Sequence, residues 1–296
     1  MAKGRELKQR IKSVEGTRKI TRTMEMVATS KLKRAQDRVQ AARPYARALA
    51  GVIADLYSPM LAERFPLLRQ PASGTRGDAP LAGRRVGVLL MTSNRGLAGA
   101  FNSNLIREAR LLLRRLEGEG AEIELHVVGR KGLGYFRYVG RRVASARTDL
   151  SDRPTAQDAA DLINGMMGDF AAARLDAVYL VYSKYNSPLS TPPTAERILP
   201  VAPPERVGGQ RDYLLYPSAE AILTELLPLY VRNAVYRALV ESAAGFQSAQ
   251  RTAMKNATDN AGEMLNVLRR TYNRARQAQI TQEIAEIVGG AEALTG

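Results

Sequence analysis

Apolar and small side chains recur at three- and four-residue steps through the start of the chain: Leu7, Ile11, Val14, Thr17, Ile20, Met24, Val27, Leu32, Ala35, Val39, and on through Leu49, Ile53 and Leu56. The mean step lies near the 3.5 of a coiled-coil seam. Gly16 is the only interior weak point before the first proline, Pro44. The spacing predicts one helix over residues 1–57, roughly 85 Å long at about 1.5 Å per residue. Residues 58–83 then hold Pro59, Pro66, Pro71, Gly74, Gly77 and Pro80 and read as a surface loop.

From Arg84 the period changes. Short runs rich in branched residues, Val86–Met91, Glu122–Val128, Val143–Thr148 and Leu175–Tyr182, predict strands. Between them Asn102–Leu116, Lys131–Tyr138 and Thr155–Ala172 predict helices, with Asn102 or Ser103 capping the first. A proline-rich stretch after Ser187 leaves room for an edge strand near Ile198 and Leu199. Residues 84–216 therefore read as an α/β domain. Residues 217–296 turn helical again. Ser218–Leu227 forms one piece, and Pro228 opens a second that runs to about Val288. Its seam is expected at Val235, Leu239, Ser242, Phe246, Ala249, Ala253, Met264, Val267, Ala275 and Ala278. Two long helices at opposite ends of one chain can pair antiparallel. The expected fold is thus an antiparallel coiled coil of the terminal helices with an inserted, Rossmann-like α/β domain.

Composition narrows the chemistry. The 296 residues are 45 % hydrophobic and 25 % charged, enough for a packed core. Cysteine is absent, which excludes disulfides, thiolate catalysis and thiolate metal sites. The single histidine, His126, sits in the apolar run Leu125–Val128 and reads as a packed strand residue. No stretch approaches the roughly 20 apolar residues that span a bilayer. The basic N-terminus has no apolar core behind it, so it does not read as a secretory signal, and a helix starting near Met1 leaves little room for a removable leader.

The net charge of +15 is unevenly spread. Residues 1–57 carry fourteen basic and five acidic side chains, whereas residues 217–296 carry eight of each. An acidic partner along the first helix, a solvated helix face, and nucleic acid all fit that excess. Against nucleic acid stand an aromatic content of 6 %, the absence of tryptophan, and the lack of a known reading motif. The turn Arg95–Asn102 lies where a phosphate-binding turn would, between strand and helix. Its glycines fit neither G-x-G-x-x-G nor the P-loop, so it reads as a tight packing turn and not as the site of a nucleotide-binding enzyme. The carboxylate pairs Glu122/Glu124 and Glu283/Glu286 have no acid–base partner in sequence. After Arg276 no basic residue follows, and Ile280, Ile284, Ile287, Val288 and Leu294 are spread around the helix. Such a tip reads either as a segment enclosed by a neighbour or as a frayed tail.

Several runs then become familiar. The opening Leu7–Val14 and Thr17–Leu32, the central Thr92–Asn102, and the closing Ala253–Asn260 and Tyr272–Ile284 with Glu286–Ala291 resemble the gamma subunits of F-type ATP synthases, in the family's order. Asn94 stands where the family usually has Asp, Ala98 where it has Cys, and the expected Gln near Ser190 is missing. The cysteine-bearing insertion of plastid relatives is also absent.

The resemblance implies a non-catalytic rotary shaft without a cofactor. The helical pair would turn inside a hexamer of alpha and beta subunits, with the apolar tip in a sleeve at its top. The α/β domain would sit against the epsilon subunit and the c-ring, with the delta subunit an indirect partner and no membrane insertion. It also implies peripheral attachment on the cytoplasmic side of a bacterial plasma membrane. Arg251, Arg276, Gln277, Thr281 and Glu283 match family positions that hydrogen-bond a loop of the beta subunit, and Met24 matches one lying near that subunit's acidic lever.

Overall fold

The computed structural model describes residues 2–57, 64–69, 83–202 and 218–295. Most of the loop expected over 58–83, and the end of the proline-rich stretch at Pro203 and Pro204, lie outside the described residues. Helix α1 covers Ala2–Leu56. A single 3-10 turn, Pro66–Leu68, follows, with both leucines buried, and Val201 N–H donates to the Leu67 carbonyl at 2.9 Å. That part of the expected surface loop is therefore core. The order continues with β1 (Arg85–Met91), α2 (Phe101–Gly118), β2 (Glu122–Val128), α3 (Arg130–Tyr138), β3 (Ser145–Arg147), α4 (Ala156–Ala171), β4 (Ala177–Ser183), β5 (Pro193–Leu199) and α5 (Ala219–Thr295).

The chain divides into two compact units, one of residues 1–28 and 250–296, the other of residues 29–249. In the larger unit the strands form one sheet in the order β3-β2-β1-β4-β5. β1 pairs in parallel with β2, Arg85 opposite Glu122 through Met91 opposite Val128, and in parallel with β4 on its other side. β5 closes the edge antiparallel to β4. This is the doubly wound, Rossmann-like arrangement. A parallel strand is covered on both faces, which is why β1 is a continuous apolar run. Val86, Val88 and Leu90 face a core with Leu105, Leu112 and Phe136 of α2 and α3. Leu89 and Met91 face the other, with Ile163 and Phe170 of α4 and with Ile53, Leu223 and Val231 of the two long helices. Buried Tyr182 donates to Glu196 Oε2 across β4 and β5 at 2.9 Å, and burial beside that carboxylate pushes the phenol pKa up.

Three local expectations are corrected. Helix α5 does not break at Pro228; it runs through it as one element of 77 residues. Proline inside a helix costs about 3 kcal/mol. Leu223, Leu227, Val231 and Val235, on both sides of Pro228, are all buried in one core, and each contributes about 1.5–3 kcal/mol. That stripe outweighs the break. Helix α2 is capped at Ala100 with no side-chain cap bond, so neither Asn102 nor Ser103 is its cap. The Asn102 carboxamide instead closes the preceding turn, accepting from Ser93 N–H at 3.0 Å. The third strand is only Ser145–Arg147, because it meets β2 over three residues.

In the smaller unit the seam is shifted from the one expected. Ile20 is 63 % exposed and Val27 50 %, while Thr21 and Ala28 are buried. On α5, Met264, Val267 and Ala278 are exposed, while Met254, Thr258, Ala261 and Leu265 are buried. The steps remain of three and four residues from Met254 to Leu265, but Thr21, Ala28, Thr258 and Ala261 hold seam positions while Ile20, Val27, Met264 and Val267 point outward. Thr258 Oγ1 lies 2.8 Å from Thr21 Oγ1 across the seam, and Arg269 pairs with Glu15. Arg18 lies beside Gly262, where an added Cβ would be in ordinary contact, 3.7 Å from the guanidinium carbon.

Candidate partner-binding surface

In doubly wound folds ligands bind beyond the carboxyl ends of the strands, where the strand order reverses. Here that place holds the turn after β1 and one side of α5. Thr92 Oγ1 donates to the Val128 carbonyl at 2.7 Å and accepts from Gly132 N–H at 2.9 Å, binding the ends of β1 and β2 to the start of α3. Gly129 has φ +93°, and a Cβ there would collide with the Thr92 carbonyl. Asn94 uses both ends of its amide: Oδ1 accepts from Arg130 N–H at 3.0 Å and Nδ2 donates to the Leu150 carbonyl at 3.1 Å. Aspartate could not make the second bond at neutral pH, which gives a physical reason for asparagine here.

The remaining space is a cavity of about 80 Å³ bounded by Ser93, Asp152, Phe101 and, on α5, Leu239, Ser242 and Phe246. Helix α5 thus closes the crevice that a dinucleotide would occupy. Part of the basic excess of α1 is also spent inside this unit. Lys31 pairs with Asp152 at 2.8 Å, Arg95 approaches the same carboxylate at 3.8 Å, and Lys33 pairs with Asp37 at 2.9 Å. Arg18, Lys19 and Arg22, in the smaller unit, are exposed.

The predicted partner residues all fall on the helical pair. Met24 is half-buried on α1 and Arg251 half-buried on α5. Arg276, Gln277, Thr281 and Glu283 are exposed on α5. A step of seven returns Arg276 and Glu283 to one side of the helix, and a step of four sets Gln277 and Thr281 together on another face, about 100–160° round from them. Their contacts are local: Thr281 Oγ1 donates to the Gln277 carbonyl at 3.0 Å, and Gln279 Nε2 to Glu283 Oε1 at 2.9 Å. Arg251 stands 25 positions from Arg276 and joins no cluster with it. From Arg276 to Gly289 every residue is exposed, including Ile280, Ile284, Ile287 and Val288. Sequence reasoning missed the outward apolar positions Ile20, Met26, Val27, Met264 and Val267. The step of seven from Thr21 to Ala28, and the steps of four and three from Met254 through Thr258 to Ala261, were the signal that would have exposed them.

A domain whose ligand crevice is plugged by its own helix, joined to a helical pair with an uncovered apolar end, is built to engage partners. An ATP synthase family model matches residues 3–294. The ATP synthase gamma chain of Gemmatimonas aurantiaca is 67 % identical over 299 residues, covering 100 % of both chains. That of Streptomyces coelicolor is 43 % identical, over 98 % of this chain and 95 % of its own. The central stalk of Tetrahymena thermophila mitochondrial ATP synthase, solved with its c-ring, superposes with a TM-score of 0.60 at 26 % identity, over 80 % of this chain and 99 % of that one. A chain of Euglena gracilis mitochondrial ATP synthase shares the fold at a TM-score of 0.68 over 99 % of this chain and 95 % of its own. The chain belongs to the gamma-chain family of ATP synthases, whose members are non-catalytic stalk subunits.

Proposed function

We propose that this chain is the central rotary shaft of an F-type ATP synthase, carrying torque between a membrane c-ring and a catalytic hexamer of alpha and beta subunits. It performs no bond chemistry. Its asymmetry biases each beta subunit between conformations of different nucleotide affinity, as an outside element tips a bistable one. The α/β domain faces the epsilon subunit and the ring, and the delta subunit is reached indirectly. Attachment is peripheral, on the cytoplasmic side of a bacterial plasma membrane; among the described residues no helix is long and apolar enough to cross one.

The observation that carries this reading is the uncovered end of α5. An exposed run with Ile280, Ile284, Ile287 and Val288 is an aggregation hazard unless a neighbour surrounds it. The same run holds Arg276, Gln277, Thr281 and Glu283, which we assign to a loop of the beta subunit together with Arg251, and Met24 to the beta subunit's lever. A guanidinium can hold a carboxylate by two parallel bonds, so Arg276 leads that set. Co-purification from native membranes tests the reading: alpha, beta and epsilon subunits should elute with the chain. Arg276→Ala should lower ATP-driven proton pumping without changing the chain's helicity. A chain that elutes without those subunits would refute the assignment.

A further inference from the structure

A second cavity in the larger unit, of about 520 Å³, lies between α4, the 3-10 turn Pro66–Leu68 and the first turns of α5. That volume falls inside the roughly 300–1,000 Å³ of small-molecule sites. Its walls are largely apolar: Phe65 and Leu67 from the turn, Met167 and Ala171 from α4, Leu223 and Leu227 from α5. Polar contacts fasten the turn to both helices. Arg69 donates to the Phe170 carbonyl at 3.3 Å and lies over the Phe170 ring, 5.4 Å from its centre, while Arg64 pairs with Glu220 on α5. The walls are therefore held apart without a ligand. A space lined this way holds water poorly, because a buried water needs two to four polar partners.

One end of the lining differs in chemistry. Among the described residues Arg232 is the only charged side chain bordering the cavity, and it is half-buried. Its Nε donates to Asn164 Oδ1 at 2.9 Å, which fixes the plane of the guanidinium. No carboxylate among the described residues pairs with it, so its charge and its terminal N–H groups are open to a ligand. A guanidinium holds a carboxylate by two parallel bonds. One uncompensated cation matches one negative charge, which favours a carboxylate over a phosphate monoester carrying about −1.5 to −2. From Leu223 to Arg232 the helix advances about 13 Å at 1.5 Å per residue, so the apolar part of the site suits a chain of medium length. We infer that this cavity binds a single-chain amphiphile with a carboxylate head, a free fatty acid, whose tail lies among Leu67, Met167, Leu223 and Leu227 and whose head is held by Arg232.

The chain has no tryptophan, so one introduced at a chosen place reports contact at that place alone. In the full chain carrying Ala171→Trp, at the exposed rim of the cavity, dodecanoate brominated on its chain should quench the fluorescence saturably, below the concentration at which it forms micelles. Tyr138→Trp, on α3 and 89 % exposed, should not be quenched saturably. Added to Ala171→Trp, Arg232→Gln should raise the half-saturating concentration about tenfold, the scale of one lost charged hydrogen bond, and Arg232→Lys, which keeps the charge, should raise it less. The matching brominated dodecanol should bind about tenfold more weakly than the acid and be indifferent to Arg232→Gln. Gly168→Phe fills the space from α4, where a Cβ meets nothing within 4 Å, and replaces glycine by a better helix former. It should abolish the saturable quenching without lowering the thermal midpoint of the chain. No saturable quenching of Ala171→Trp would overturn the proposal. So would equal quenching of Tyr138→Trp, equal binding of acid and alcohol, or unchanged binding of the acid in both Arg232→Gln and Gly168→Phe. These measurements need only this chain, so their failure leaves the rotary reading untouched.

Discussion

Thr21 and Thr258 meet at the seam of the helical pair, both nearly inaccessible to solvent. Thr258 Oγ1 is 2.8 Å from Thr21 Oγ1 and 2.8 Å from the Met254 carbonyl, and Thr21 Oγ1 is 3.1 Å from the Arg18 carbonyl. Two hydroxyl protons thus serve three contacts. Valine matches threonine in shape and has a similar helix propensity, so it removes the hydroxyl alone. Either single change removes the hydroxyl–hydroxyl contact and sets a methyl against the remaining hydroxyl, which keeps its own carbonyl, and should cost about 1 kcal/mol. Changing both removes two polar groups together and adds two buried methyls worth about 0.8 kcal/mol each, so Thr21→Val with Thr258→Val should equal or exceed wild type. The coupling between the sites is then about 2 kcal/mol. Thermal melts of the purified chain by circular dichroism at the helical band read this as a loss of about 2–4 °C for each single variant and none for the double. If the double variant loses the sum of the two singles, the hydroxyls do not share a buried site and the seam register given above is wrong.

Other consequences are as direct. Gly129→Ala adds a Cβ at φ +93° against the Thr92 carbonyl and should cost more than about 3 kcal/mol, visible as a lower denaturant midpoint or loss of soluble chain. Thr155 and Asp158 form a reciprocal capping box at the start of α4, so Thr155→Ala should cost about 1 kcal/mol in the same assay. His126 is half-buried on β2, and its desolvation there lowers its pKa below the ordinary 6.5 despite the opposing field of Glu124. Its neutral form is the one that folds, so its contribution is complete above about pH 6.5 and is lost as pH falls toward the depressed folded value. As the only histidine, it makes the test clean: His126→Gln should flatten the pH dependence of the denaturant midpoint between pH 5 and 7, and an unchanged slope would contradict this.

The long helices and the alternation of strands with helices were legible because period and length carry them directly. Val86–Met91 could only be a doubly covered strand. The seam was read less well, because the reading followed large apolar side chains. At Thr21 and Thr258 the pairing instead selects a polar pair whose partners come from opposite ends of the sequence. Pro228 misled for a similar reason: its local cost is plain in sequence, whereas the stripe from Leu223 to Val235 that overrides it becomes visible only once the core is assembled. The bond from Tyr185 N–H to buried Glu241 on α5 was invisible because nothing near Glu241 in sequence says that a segment 56 residues earlier will present that donor to it. The exposed end of α5 was legible from composition, since the loss of basic residues after Arg276 stands out without any fold.

The central claim is that this chain turns. A single cysteine introduced at an exposed site on the α/β domain, such as Tyr138→Cys, gives a unique attachment point for a fluorescent bead in an otherwise cysteine-free chain. With the alpha and beta hexamer fixed to a surface and Mg-ATP supplied, the account predicts stepwise rotation of the bead in one direction, stopping when ATP is removed. A bead that stays still while the same hexamers hydrolyse ATP would contradict it.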